Sequence, residues 1–336
     1  MQRPPVVAPR YATRSSRRTH TTRATRATCA GRSTCASRSA RAVLALVALI
    51  VVGPIGAGDA AAFNIFPFGV GQALKWGDNT IGTPAGTTIT WSLMPDGTPF
   101  DPLVASFGWS GTSDLASVYA QVGGEAAAVA ALRSAFDVWS AASGIEFVQI
   151  TEDGVLPFAA ASAGTATVGH IRIGAFAFAP GDFTGAVGYA PPPNGGTTLE
   201  GDLIFNVSNR FGLPAGLEGQ PFDLYPPPSF FYLNDFAGLA AHEIGHALGL
   251  AHSNVTTALM CGWVDPGFDG TQCHWADPDA NGQAPITRRP KPDDIAGILH
   301  LYGVPEPANG AMLSVGLLML AALPRRARLR RSPRAA

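Results

Sequence analysis

One stretch limits the fold of this chain more than any other: Asn234 to Ser253, NDFAGLAAHEIGHALGLAHS. Asn234 or Asp235 is suited to an N-cap, and good helix formers follow as far as Leu248. His242 and His246 are four apart, so both imidazoles leave one helix face close enough to share a small cation. Glu243 lies one position on, beside that cation but angled away from ligation, which suits a carboxylate base over a water. Gly249 is able to take the left-handed conformation that ends the helix and turns the chain. His252 then returns as a third nitrogen ligand.

Three neutral imidazoles leave a fourth zinc position open for water, the catalytic rather than the structural arrangement. Chance gives a pattern fixing three histidines, a glutamate and a glycine on the order of 10⁻⁵ times in a chain of this composition. The competing readings are buried core histidines and a zinc that only staples the fold. A staple normally takes a fourth protein ligand, and Glu243 is badly placed to be one.

Charge separates the rest of the chain into three parts. Ten arginines and no acid precede Ala42, and six arginines and no acid follow Leu320. All 24 acidic residues fall between Asp59 and Glu306 with only seven basic ones, so that stretch carries −17. A body so acidic argues against a nucleic-acid-binding core. Residues 1–62 pair a basic stretch with the uncharged run Ala42 to Ala57 and small residues at Ala60 to Ala62, as a signal peptide cleaved near Ala62 would. An organellar transit peptide and a buried core helix are the alternatives.

At the other end, residues 304–336 join Pro305-Glu306-Pro307 to a short apolar run, Ala311 to Leu323, and an arginine cluster. A short membrane-dwelling helix with a cytoplasmic positive stop has that form. This tail resembles the PEP-CTERM sorting signal, which implies processing by an exosortase-type enzyme and an exported, cell-surface or extracellular body. An ordinary C-terminal anchor is the alternative. Only Cys261 and Cys273 remain in the body, and an even pair in an exported domain suggests one disulfide closing a short loop, with two free thiols as the other reading.

Residues 63–303 show no repeat and no linker, so one domain is expected. Thr87 to Leu93, Ile145 to Ile150, Val168 to Ile173 and Leu203 to Val207 read as strands, and Gly185 to Ala190 as an edge segment. Glu125 to Ala142 reads as a helix with Val129, Leu132, Phe136 and Trp139 facing a core and Gly144 ending it. Pro99 to Gly124 and Arg210 to Tyr232 look like surface excursions. The element order gives an α+β domain with a mostly one-sided sheet.

HExxHxxGxxH at His242 to His252 resembles the signature of the metzincin metallopeptidases, and Ser253 after the third histidine resembles the matrixin branch. Ala258-Leu259-Met260 is similar to the Met-turn, in which Met260 would floor the metal. Asp293 and Asp294 open a segment similar to the closing helix, where an aspartate supports that turn. Arg133 to Trp139 resembles the first helix, and Lys75-Trp76 with Thr88 to Leu93 the first strand.

The resemblance implies a twisted, mainly parallel five-stranded sheet with an antiparallel edge strand and three helices. It also implies a zinc endopeptidase that binds an extended peptide along the edge strand Gly185 to Ala190. In the implied chemistry zinc activates a water and Glu243 acts as general base, passing the proton to the leaving amine. Members of the family often hold a second, structural zinc through histidines. Here Tyr189 and Gly201 to Asn206 stand at those places without one, which speaks against that ion. Asp202 remains a candidate calcium ligand, with a solvated acidic face as the plainer reading. His170, His274 and His300 lack partners at metal spacing, and Asn206-Val207-Ser208 is discounted as a glycosylation site because it falls in a strand. A non-catalytic surface or matrix binding module on the same fold is the alternative function; the retention of Glu243 favours the enzyme.

Overall fold

The computed structural model describes residues 63–100, 108–159, 167–193, 199–226, 232–262 and 281–303. The stretches expected to be a leader and a sorting tail lie outside the described residues, as do Cys273 and His274.

The β-branched and aromatic runs pair as one sheet. Its strands are β1 (Ile89–Leu93), β2 (Phe147–Gln149), β3 (Ile171–Phe176), β4 (Ala186–Gly188) and β5 (Leu203–Asn206), in the spatial order β2-β1-β3-β5-β4. The first three pairings are parallel, and β4 runs antiparallel to β5 at one edge, with Ala186, Val187 and Gly188 opposite Phe205, Ile204 and Leu203. Every residue of β3 and β5 is buried, as expected of strands covered on both faces.

Four helices accompany the sheet: α1 (Leu115–Gln121), α2 (Glu125–Ser143), α3 (Phe236–Ala247) and α4 (Pro292–Tyr302). The apolar spacing read in α2 places Leu132, Phe136 and Trp139 in the core, with Ala128 rather than Val129 fully buried at its start. Gly144, at φ +73°, ends the helix, its N–H closing on Ser140 O. Phe136 stacks on Trp91 of β1 at 4.7 Å, and the Trp139 indole N–H donates to Ala241 O of α3 at 2.7 Å, so one helix ties the sheet to the next helix.

Two stretches expected on the surface contribute to the interior. α1 buries Leu115, Val118 and Tyr119, an i, i+3, i+4 stripe that neighbouring glycines and prolines obscure in the sequence. Phe211 and Leu224 are buried too. Short pairings organise that second stretch: Arg210–Gly212 runs parallel to Leu233–Asp235, and Pro221–Asp223 runs antiparallel to Gln283–Pro285. Among the described residues no single helix is long and apolar enough to cross a membrane.

Candidate metal centre

Helix α3 is buried along its whole length, from Phe236 to Ala247, and apart from His242, Glu243 and His246 it is built of Phe, Leu, Ile, Ala and Gly. Three polar side chains in such a helix have lost their water, so each must find a partner or a ligand inside. His242 finds one in Leu259 O, and His246 in Leu250 O, both through Nδ1 at 2.7 Å. A ring whose Nδ1–H donates to a carbonyl presents Nε2 as a bare lone pair.

The turn after α3 supplies the third ring. Gly249 has φ +101°, and a side chain there would overlap Leu74 O. Two other residues satisfy the carbonyls left over at this helix end: the Trp76 indole N–H donates to Ala247 O at 2.8 Å, and the Tyr302 hydroxyl to Leu248 O at 2.9 Å. The reversed chain brings His252 back, with its Nε2 3.1 Å from that of His246. The three ring centroids stand 4.7 to 5.2 Å apart.

The donor set fits zinc. One ligand atom from each of His242, His246 and His252 lies within 4.8 Å of the other two. Zn–N bonds of about 2.0–2.1 Å at tetrahedral angles need a spacing of about 3.3 Å. Burial, and then the neighbouring His252, lowers the His242 pKa to about 3 and that of His246 well below its ordinary value, so both rings are neutral. Among the described residues no fourth histidine, cysteine or carboxylate joins the group.

Glu243 faces the sheet's edge. Its Oε2 accepts the Gly188 N–H of β4 at 2.6 Å. Burial raises its pKa to about 8, with the Gly188 N–H pulling the other way. Gly188 is close enough that a Cβ would overlap Glu243 O and touch the His246 Cβ at 3.0 Å.

Met260 is buried against α3, where a Cβ on Gly245 would overlap its Sδ. Of the expected pair, Asp294 holds the turn at Met260 and Asp293 holds the residue after His252. Asp294 accepts from Leu259 N at 2.7 Å and Met260 N at 2.9 Å, while Asp293 accepts the Ser253 hydroxyl at 2.6 Å. Cys261 is buried and disulfide-bonded.

Asp202 sits apart from this centre and is buried rather than on a solvated acidic face. Its Oδ1 accepts Arg172 N–H at 3.0 Å, its Oδ2 has no partner, and burial raises its pKa to about 8. Beside it the Arg172 guanidinium forks onto Glu152, itself buried, and onto the Leu156 and Pro157 carbonyls. His170 is occupied with Thr90, and His300 packs on Phe63 at the surface. Asn206 is buried with its amide on Asp182 O and Thr184 O, consistent with a strand residue that bears no glycan.

The glycines at 188, 245 and 262 and the residues at 64 and 66 enter this centre without having been singled out in the sequence. Gly245 alone left a trace: a glycine inside a helix costs about 1 kcal/mol against alanine and so needs a packing reason.

The matrixin family profile (peptidase M10) matches residues 117–303. Karilysin of Tannerella forsythia is 29% identical over 184 residues, covering 54% of this chain and 29% of its own length. Macrophage metalloelastase of Oryctolagus cuniculus is 30% identical over 182 residues, covering 52% and 29%. Matrix metalloproteinase-19 of Homo sapiens is 41% identical over 69 residues, covering 20% and 10%. The chain thus spans less than a third of the length of these relatives.

Proposed function

This chain belongs to the matrixin family, and from that premise we propose that it is a zinc-dependent endopeptidase acting on protein or peptide substrates. The observation that carries the reading is the convergence of three imidazoles with no fourth ligand among the described residues, next to a carboxyl group on the buried helix that carries two of them. His242, His246 and His252 would hold the ion. Zinc bound by them supplies a Lewis acid that lowers the pKa of a water and polarises a carbonyl.

The protein's own groups supply the rest. Glu243 takes the water's proton and returns it to the leaving amine. Its bond to Gly188 N–H aims the carboxyl toward the edge of β4, where an extended peptide would add as a further strand. Met260, held by Asp294, would close the floor beneath the rings.

Export is part of the proposal. It is supported by the disulfide at Cys261, for which Cys273 is the partner we assign, and by the leader and tail patterns. We assign the tail to PEP-CTERM-type sorting by an exosortase-type enzyme. Calcium at Asp202 is not carried forward, because one of its oxygens is taken by Arg172 N–H and its carboxyl neighbour Glu152 is committed to Arg172.

The test is zinc quantification on purified protein, with hydrolysis of casein and of a quenched peptide library. Glu243→Ala should keep its zinc and lose about 10²- to 10⁴-fold in turnover. A zinc-replete wild type inert on every substrate would instead favour the binding module.

A further inference from the structure

His242 and His246 stand on a helix, and each is oriented through Nδ1 by a carbonyl. His252 has no helix beneath it. It is half-buried on the turn that follows Gly249, and two residues from elsewhere in the chain reach it there.

We infer that Asn64 and Gly262 are the positioning residues of the third imidazole, one acting on its backbone and the other on its ring. The inference rests on the metal-site reading and goes beyond it by naming two residues that position the ligand lying off the helix. Asn64 Nδ2 donates to His252 O at 2.8 Å, across 188 residues of sequence. Its own backbone is fixed against the same turn. Asn64 and Ile65 pair antiparallel with Ala251 and Leu250, and Phe66 N–H donates to Gly249 O at 3.1 Å. The Phe66 ring reaches His246, 5.8 Å between centroids. The segment 64–66 therefore clamps the turn from Gly249 to His252 residue by residue.

Gly262 acts from the opposite side. A Cβ built on it would lie 2.7 Å from His252 Cγ and would overlap Cδ2 and Nε2. Overlap with the free end of a flexible side chain is easily relieved, but the atom displaced here is the donor nitrogen itself. Gly262 cannot readily retreat either. Ser253 N–H donates to Met260 O at 2.8 Å and Ser253 bridges Cys261, which locks the two segments in register. The absence of a side chain at 262 is what gives the ring its room.

Metal-stripped full-length protein would be titrated with zinc against a chromophoric chelator, and separately with Co²⁺ to read the d–d spectrum of the site. Asn64→Ala and Gly262→Ala are each expected to weaken zinc binding about 10- to 100-fold. They should also shift the Co²⁺ band, with the melting temperature of the metal-free protein nearly unchanged. Asn64→Asp keeps the shape and loses the donor, and should fall with Asn64→Ala. Should Gly262→Ala fail to fold, the two Asn64 variants decide. Wild-type affinity and an unshifted cobalt spectrum in the variants would overturn the inference while leaving the zinc reading intact. A wild type that takes up no zinc would overturn the function it rests on.

Discussion

At the scale of single residues, the ground around the three histidines depends on side chains that are missing as well as on those present, and Gly245 is the case in point. Intrinsic preference alone would favour alanine inside α3 by about 1 kcal/mol. An added Cβ, however, overlaps Met260 Sδ and comes within 2.9 Å of Trp139 Cζ2, and overpacking of this kind costs about 1–3 kcal/mol. Gly245→Ala should therefore lower stability by about 1 kcal/mol and weaken zinc retention, measured by urea denaturation and chelator competition. A stabilised variant would mean that Met260 swings aside freely. The spacing of His242, His246 and His252 follows from the geometry of one helix turn and one reversal, both of which a sequence displays directly. The site's other glycines were illegible, since a missing side chain announces nothing about which neighbour fills its space.

At the scale of elements, strands with β-branched and aromatic side chains were read correctly, because their pattern and their burial share one cause. β1, β5 and α2 fall within a few residues of their expected bounds. α1 and the short pairings around Phe211 and Leu224 were missed, since seven-residue helices and three-residue strands carry too few side chains to show a period. The C-terminus of α3 depends on contacts no local pattern reveals. Tyr302 donates to Leu248 O and accepts Trp76 N–H at 3.1 Å, both buried. Tyr302→Phe strands a donor and an acceptor together, an expected loss of about 2–4 kcal/mol. Calorimetry would register it as a fall in melting temperature; an unchanged melting point would mean that a water or a small shift satisfies both groups.

At the scale of the whole molecule, buried acidity should govern how stability responds to pH. Asp202 has its pKa raised from 3.8 to about 8 by burial, more than Arg172 offsets. The folded protein therefore holds this proton more tightly than the unfolded chain does. The resulting stability is complete below about pH 4 and drains away as the pH rises through 8. Asp202→Asn keeps the Oδ1 acceptor for Arg172 N–H and cannot ionise. Thermal melts of metal-stripped protein should show the variant gaining on wild type steadily from pH 5 to pH 8. Parallel curves would mean that Asp202 ionises freely when folded.

Helix α3 has no outer face: every one of its twelve residues is interior. The scaffold's keystone and its reactive groups are thus a single object, and a substitution there cannot alter one role without disturbing the other. On the proposed function, changes in peptide preference must then arise along the rim, in the connections around β4 rather than at its Gly188, where a Cβ would overlap Glu243 O. Selection and protein engineers face the same restriction, and both would do well to leave the helix alone.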